Sequence, residues 1–309
     1  MPVRTLPFPA LSLARCRIAS ALAVLTLLAA IAAPPEALAT ENTPRVETRA
    51  TTVTVLSFNL WHDKGDWPKR RAMILAEIKR LKPDVIALQE VLQRDGLRNQ
   101  AEDLAAALGY RVQFASVDPP DAARRYGNAL LTRKRPETRE MRKLEPLGDY
   151  RTAAHARLRP GPPRTRIDVY ATHLHNDQAG GAVRATQVSS LLNFIDTTAQ
   201  GSYVIVAGDF NSDADSPELR ALAARYRDAY GNAHPDASRN IAAHTTLNPA
   251  YLPAQRIDHV FYDPIGFELV EARVVLKQSR EGVWPSDHFG LLVKLRTRPK
   301  LVTLRASPN

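Results

Sequence analysis

Cysteine is nearly absent: Cys16 carries the only thiol in 309 residues. That excludes a disulfide framework and a metal site built on thiolates. Aromatic residues are also sparse, at 6%. Beyond Tyr251-Leu252 no segment reads as an exposed apolar loop, which leaves little to seat the protein on a membrane. No internal repeat or low-complexity segment is present, and no linker divides the main body of the chain. A single domain follows, and at 44% hydrophobic residues it is large enough to bury a substantial core.

The N-terminus reads as an export signal. Arg15 and Arg17 precede the apolar run Ile18–Ala33, and Ala37-Leu38-Ala39 matches an A-x-A cleavage pattern. The run is short for a membrane span. We expect residues 1–39 to be a signal peptide and the protein to be periplasmic or secreted. Removal takes Cys16 with it, so the mature chain rests on its core and any bound metal. The net charge is +10, of which the first 39 residues carry +2. The excess favours anionic partners without choosing among nucleic acid, lipid headgroup and small phosphate esters. No obligate protein partner is indicated, and a monomer is expected.

Residues 40–50 read as a polar linker, 51–297 as the folded domain and 298–309 as a basic tail. Within the domain, β-branched and apolar runs predict strands at 51–59, 84–88, 111–116, 128–133, 152–158, 167–172, 203–208, 257–262, 269–277 and 289–295. Amphipathic periodicity predicts helices at 68–81, 97–108, 183–197 and 217–225. The basic run Arg133–Lys143, RKRPETREMRK, reads as a solvated loop rather than a binding patch. Helices lying between strands make this an α/β or α+β layered domain.

The stretch Tyr203–Asn211, YVIVAGDFN, pairs a buried strand with Asp209 and Asn211 at its end. Alternation turns Phe210 to the core and the two polar side chains to one side. An ordinary strand end capped by Asx turns would look the same. Other strands also end in polar groups: Asn59, Glu90, His173, Asp258 and Asp287-His288. Separate delivery of such groups from buried strands is how a rigid scaffold assembles a site. Oxygen donors without cysteine suit a hard divalent ion, Mg²⁺ or Mn²⁺, and the histidines suit phosphate contact or proton transfer.

The ordered series LSFNLW, DVIALQEV, YGNALLTR, ATHLH, VAGDFNSD, RIDHVF and PSDHFGLLVKL resembles the endonuclease/exonuclease/phosphatase superfamily. The resemblance runs from about Val53 to Leu295. It implies a DNase I-like four-layer α/β/β/α sandwich of two mixed sheets flanked by helices. It further implies a metal-dependent hydrolase of phosphoric esters. Asn59, Glu90 and Asp287 would hold the metal, and Asp209 would orient or deprotonate water. Asn211, His173 and His288 would hold the phosphate, with Asp258 fixing the tautomer and charge of His288.

The substrate stays open between nucleic acid, phospholipid headgroup and small phosphodiester or phosphomonoester. His173 departs from the abasic-site branch, and VAGDFN and RIDHVF lack the tryptophan and cysteine usual in the inositol 5-phosphatase branch. The missing disulfides depart from pancreatic-type deoxyribonucleases. An inactive binding protein on the same scaffold is the alternative of a different class, yet no ligand of the series is missing. Trp61, Trp67 and Trp284 lie close to site motifs and would form an aromatic rim, or else pack in loops and core. His62 and Asn128 belong to the same outer group, His62 reading equally as a solvent-facing loop residue.

Overall fold

The computed structural model describes residues 50–160 and 165–298, together with the backbone of Arg45–Glu47 and Leu301–Thr303. All of these lie in one compact unit, Thr43–Asn309. The segment expected to be a signal peptide lies outside the described residues. The strands, in chain order, begin with β1 (Arg45–Glu47), β2 (Thr52–Asn59), β3 (Val85–Gln93), β4 (Arg111–Ser116) and β5 (Arg125–Thr132). Next come β6 (Thr138–Lys143), β7 (Thr152–Leu158), β8 (Ile167–His173), β9 (Tyr203–Asp209) and β10 (Arg227–Asp228). The chain closes with β11 (Asp258–Tyr262), β12 (Phe267–Val275), β13 (Gly290–Thr297) and β14 (Leu301–Thr303). The main helices are α1 (Trp67–Leu81), α2 (Gln100–Leu108) and α3 (Gly181–Thr198).

Two six-stranded sheets form, ordered β12-β13-β2-β3-β5-β4 and β10-β11-β9-β8-β7-β6. Both are mixed, with parallel pairs β2–β3 and β8–β9 at their centres. Period-two alternation sorts each strand between layers. Val53 and Val55 of β2 face the interior between the sheets, while Leu56 and Phe58 face α1 and α2. In β9, Ile205 and Ala207 point inward and Val204 and Val206 pack beneath α3. The result is the expected four-layer sandwich. Its inner rows are rich in alanine, with Ala87, Ala154, Ala156, Ala171 and Ala207 all fully buried there.

Several elements differ from expectation. Arg133–Lys143, expected to be a loop, contributes β6, an edge strand whose residues are almost all exposed. Its dense positive charge blunts an otherwise open edge against pairing with other chains. The expected linker and tail each supply a three-residue strand, β1 and β14, paired antiparallel. The stretch before Gln255 holds β10 and short helical turns at Ala229–Ala233 and Ile241–His244. These pieces are too short for periodicity to register. Helix α1 starts at Trp67, where Asp66 caps the amide of Lys69 at 3.0 Å and Pro68 sits in the first turn.

Candidate active site

The inner-facing rows end at one edge of the sandwich, and there they turn polar. Asn59 continues the Val53–Val55 row, His173 the Val169–Ala171 row, Asp209 the Ile205–Ala207 row, and Asp258 precedes Val260. Register completes the convergence: Asp209 lies between His173 of β8 and Asp258 of β11 as a cross-strand partner of both. Gly208 permits this close pairing, because a Cβ there would come within 2.1 Å of the Thr172 carbonyl oxygen.

Asp209 is the hub. Its Oδ2 accepts from Asn59 Nδ2 at 3.0 Å, with His173 Nε2 at 3.5 Å and His288 Nε2 at 3.8 Å. Its Oδ1 accepts from the backbone amide of Asn211 at 2.9 Å. Asn211 is thus an Asx-turn residue, with φ of 50°, and a wall of the site at once. Its Nδ2 donates to the Leu174 carbonyl at 2.9 Å, while Phe210 is buried as alternation required. Burial would raise the Asp209 carboxyl, but the His288 charge and the Asn59 amide outweigh it and hold the group below its ordinary value.

His288 and Asp258 form the second unit, Nδ1 to Oδ2 at 2.9 Å. Burial opposes charge on the imidazole, yet Asp258, Asp209 and Asp287 prevail and push it up to about 10. Burial likewise makes the Asp258 charge costly and raises its carboxyl. Three carboxylates around one imidazole decide the pair: His288 is the cation at neutral pH and Asp258 the anion. His173 is the opposite case. Burial, then the nearby Arg151 charge, pushes it down to about 3, so it is neutral, and its Nδ1 has no partner.

Glu90 sits where β3 bulges between Leu88 and Val91, at φ of 54°. Of the seven non-glycine residues with positive φ among the described residues, four (Trp61, His62, Glu90 and Asn211) belong to this region. Strain concentrated at a site persists only where the surroundings enforce it. Burial, Asp287 and Asp209 raise the Glu90 carboxyl against His288 and the Asn59 amide. Asp287 is raised by burial too. Two desolvated carboxylates that stay raised despite the nearby His288 charge fit a hard divalent cation. Glu90 and Asp287 are the residues that would hold it.

Asn59 differs from expectation. Its Oδ1 is taken by the Trp61 amide at 2.9 Å, which turns Nδ2 toward Asp209 and, at 3.3 Å, Glu90. It tethers the two carboxylates as a donor, while its Oδ1, accepting one hydrogen bond, keeps a second lone pair. Among the described residues, one metal-type grouping has ligand atoms all within 4.8 Å: Asp209, Asp258 and His288. His288 and Asp258 are joined by a hydrogen bond, and as a cation His288 has no lone pair for a metal.

Glu90, His173, Asp209, Asn211, His288 and His62 line one cleft of about 630 Å³. His62 therefore faces the site, its Nδ1 3.0 Å from Asp63. The rest of the aromatic rim does not form. Trp67 is 8% exposed and packs in the core against the outer face of the sheet that holds β2 and β3. Trp61 packs on Tyr251 at 4.8 Å and Trp284 on Phe289 at 6.2 Å, and neither lines the cleft. Asn128 is buried, donating to the Thr152 carbonyl at 2.9 Å.

Sequence reasoning missed three supports. Ser286 Oγ donates to the Asn59 carbonyl at 2.8 Å and accepts from the His288 amide at 3.1 Å, stapling the last loop to β2. The Thr246 hydroxyl accepts from the Asp258 amide at 3.2 Å. Arg70, 1% exposed, donates to the carbonyls of Leu60, His62 (3.1 Å), Lys64 (2.7 Å) and Pro285 (2.9 Å). Its signal was present: an arginine on the buried 67-70-74-78 stripe of α1.

Residues 56–288 match the model of the Endonuclease/Exonuclease/phosphatase family. The chain belongs to that family. Its members are phosphoesterase hydrolases, generally dependent on divalent metals. Solved structures share the fold. The human Nocturnin catalytic domain with bound sulfate anion is 21% identical, covers 82% of this chain and 97% of its own, and has a TM-score of 0.67. A family protein from Bacteroides vulgatus is 20% identical over 80% of this chain and 100% of its own, with a TM-score of 0.65. TDP2 from Caenorhabditis elegans is 18% identical over 79% and 74%, with a TM-score of 0.60. No curated protein matches the chain.

Proposed function

We propose that this family hydrolase is an exported, Mg²⁺-dependent phosphodiesterase that cleaves its ester by attack of water. The observation that carries the reading is Asp209, ionised and ringed by Asn59, His173 and His288 beside Glu90. Export rests on the N-terminal pattern of arginines, apolar run and A-x-A. When bound at Glu90 and Asp287, the cation supplies Lewis-acid polarisation of a phosphoryl oxygen. Asp209, held ionised by its neighbours, orients the water and accepts its proton as the ester is attacked. His288 donates Nε2–H to the developing phosphoryl charge, and Asp258 keeps it protonated. Asn211, one amide hydrogen held by Leu174, has a second for phosphate. Neutral His173 donates toward the leaving oxygen.

Hydrolysis of bis-p-nitrophenyl phosphate with Mg²⁺, Mn²⁺ or EDTA tests the reading. Turnover should vanish in EDTA and return with Mg²⁺. Parallel assays on plasmid DNA, sphingomyelin and a phosphomonoester rank the substrate classes. Metal-independent turnover, or none on any of the four, overturns the proposal.

A further inference from the structure

Among the described residues four arginines are buried: Arg70, Arg151, Arg184 and Arg256. Three have partners that answer them. Arg70 is surrounded by carbonyl oxygens, Arg184 meets Glu218 at 2.8 Å, and Arg256 meets Asp228 at 2.7 Å. Arg151 is the exception. At 3% exposure it makes one hydrogen bond among the described residues, from Nη2 to Asn176 Oδ1 at 3.0 Å, and its Nε has no partner. Asp149, two positions earlier, is near enough for the Arg151 charge to lower its carboxyl, but its oxygens bond His175, Gln187 and the Tyr150 amide. A buried guanidinium with no direct ion pair and an unpartnered Nε keeps hydrogen-bonding capacity for a ligand.

Arg151 lines the same cleft as Glu90, Asp209 and His288. It is also held in place. The Arg151–Asn176 bond and the Asp149–His175 contact at 2.8 Å join the segment before β7 to the loop after β8. Its guanidinium lies 4.6 Å from the Tyr150 ring, and Tyr150 meets Tyr126 edge-on at 5.9 Å, both tyrosines lining the cleft. A fixed planar fork on an aromatic face matches phosphate oxygens better than a free surface lysine would.

We infer that Arg151, with Asn176, forms a second anion subsite that binds a phosphate group adjacent to the one being hydrolysed. The inference rests on the phosphodiesterase reading for the first phosphate. The substrate it selects is a phosphodiester carrying a neighbouring phosphate. That second anion is either the next link of a polynucleotide or a phosphomonoester on a small diester. Tyr126 and Tyr150 offer the intervening sugar or base an aromatic wall.

Calorimetry of inorganic phosphate binding to the full protein in EDTA isolates the subsite. Arg151→Gln should weaken binding about tenfold or more, and Arg151→Lys less. Kinetics then compare thymidine 5′-(p-nitrophenyl phosphate) with and without a 3′-phosphate, and a short oligonucleotide. The 3′-phosphate should lower KM in wild type, and Arg151→Gln should erase that advantage. A KM gain confined to the oligonucleotide assigns the anion to the next link. Unchanged phosphate binding in Arg151→Gln, or an equal loss on one-phosphate and two-phosphate substrates, overturns the subsite. Arg151-dependent phosphate binding without metal-dependent turnover would leave the subsite standing and remove the hydrolase reading.

Discussion

The Nδ1 of His288 lies 2.9 Å from Oδ2 of Asp258, and that bond gives the site its resident cation. The pair spans the two sheets' partners at the cleft edge: Asp258 opens β11, beside β9, while His288 stands two residues before β13. The same imidazole turns Nε2 to Asp209 at 3.8 Å. One side chain therefore lies between two buried carboxylates, Asp258 and Asp209.

Replacing Asp258 by Asn should lower the pKa of His288 and reduce turnover by about 10²–10³, the usual cost of losing one charge-stabilising donor. The His288 ring resonances, followed by NMR against pH, report the first effect. In wild type they should titrate near 10. Because that value lies above the unfolded one of about 6.5, His288's contribution to stability is full below 6.5 and lost as pH rises through 10.

His173 carries the opposite sign. Its folded pKa of about 3 lies below the unfolded value, so unfolded chains take up a proton that the native state refuses. Stability should fall as pH drops from about 6.5 toward 3. His173→Gln should flatten that part of the curve in urea unfolding at stepped pH, and should lose most activity.

Metal should stabilise the fold through Glu90. At a hundredfold excess over Kd, Mg²⁺ is expected to add about 2.7 kcal/mol. A thermal shift in Mg²⁺ against EDTA measures it. Glu90→Gln should melt no lower than wild type in EDTA, since it removes a desolvated charge, and should show no Mg²⁺ shift and almost no activity. A full Mg²⁺ shift in that variant would remove Glu90 from the metal site.

Arg70 and Trp67 should act on stability. Arg70→Met leaves several buried carbonyls unanswered and should cost about 3–5 kcal/mol in denaturant titration. Activity should fall with it, because Leu60–Lys64 and Pro285 flank the site. Trp67→Ala should cost about 3–5 kcal/mol by core truncation. A KM change without a stability change would restore Trp67 to a substrate-binding role.

The strand ends and their polar residues were legible in the sequence because burial and period-two alternation act locally. Val53, Val55 and Asn59 share parity, as do Ile205, Ala207 and Asp209, so each row announces which face its last residue joins. The basic run of β6 was misread, since an exposed edge strand carries the composition of a loop. Arg70 was passed over because one charge on an apolar stripe breaks the pattern that reveals the stripe.

Composition and residue order determined the layers, the family and the convergence of Glu90, Asp209 and His288 on one edge. Only the tertiary structure decided the remaining charge states and neighbours: a neutral His173, Asn59 as donor, Trp67 in the core, and Arg151 without an ion pair. Periodicity is written along the chain, one residue to the next. Desolvation and electrostatic pairing depend on distances between strands far apart in sequence, and those exist only once both sheets have closed on each other.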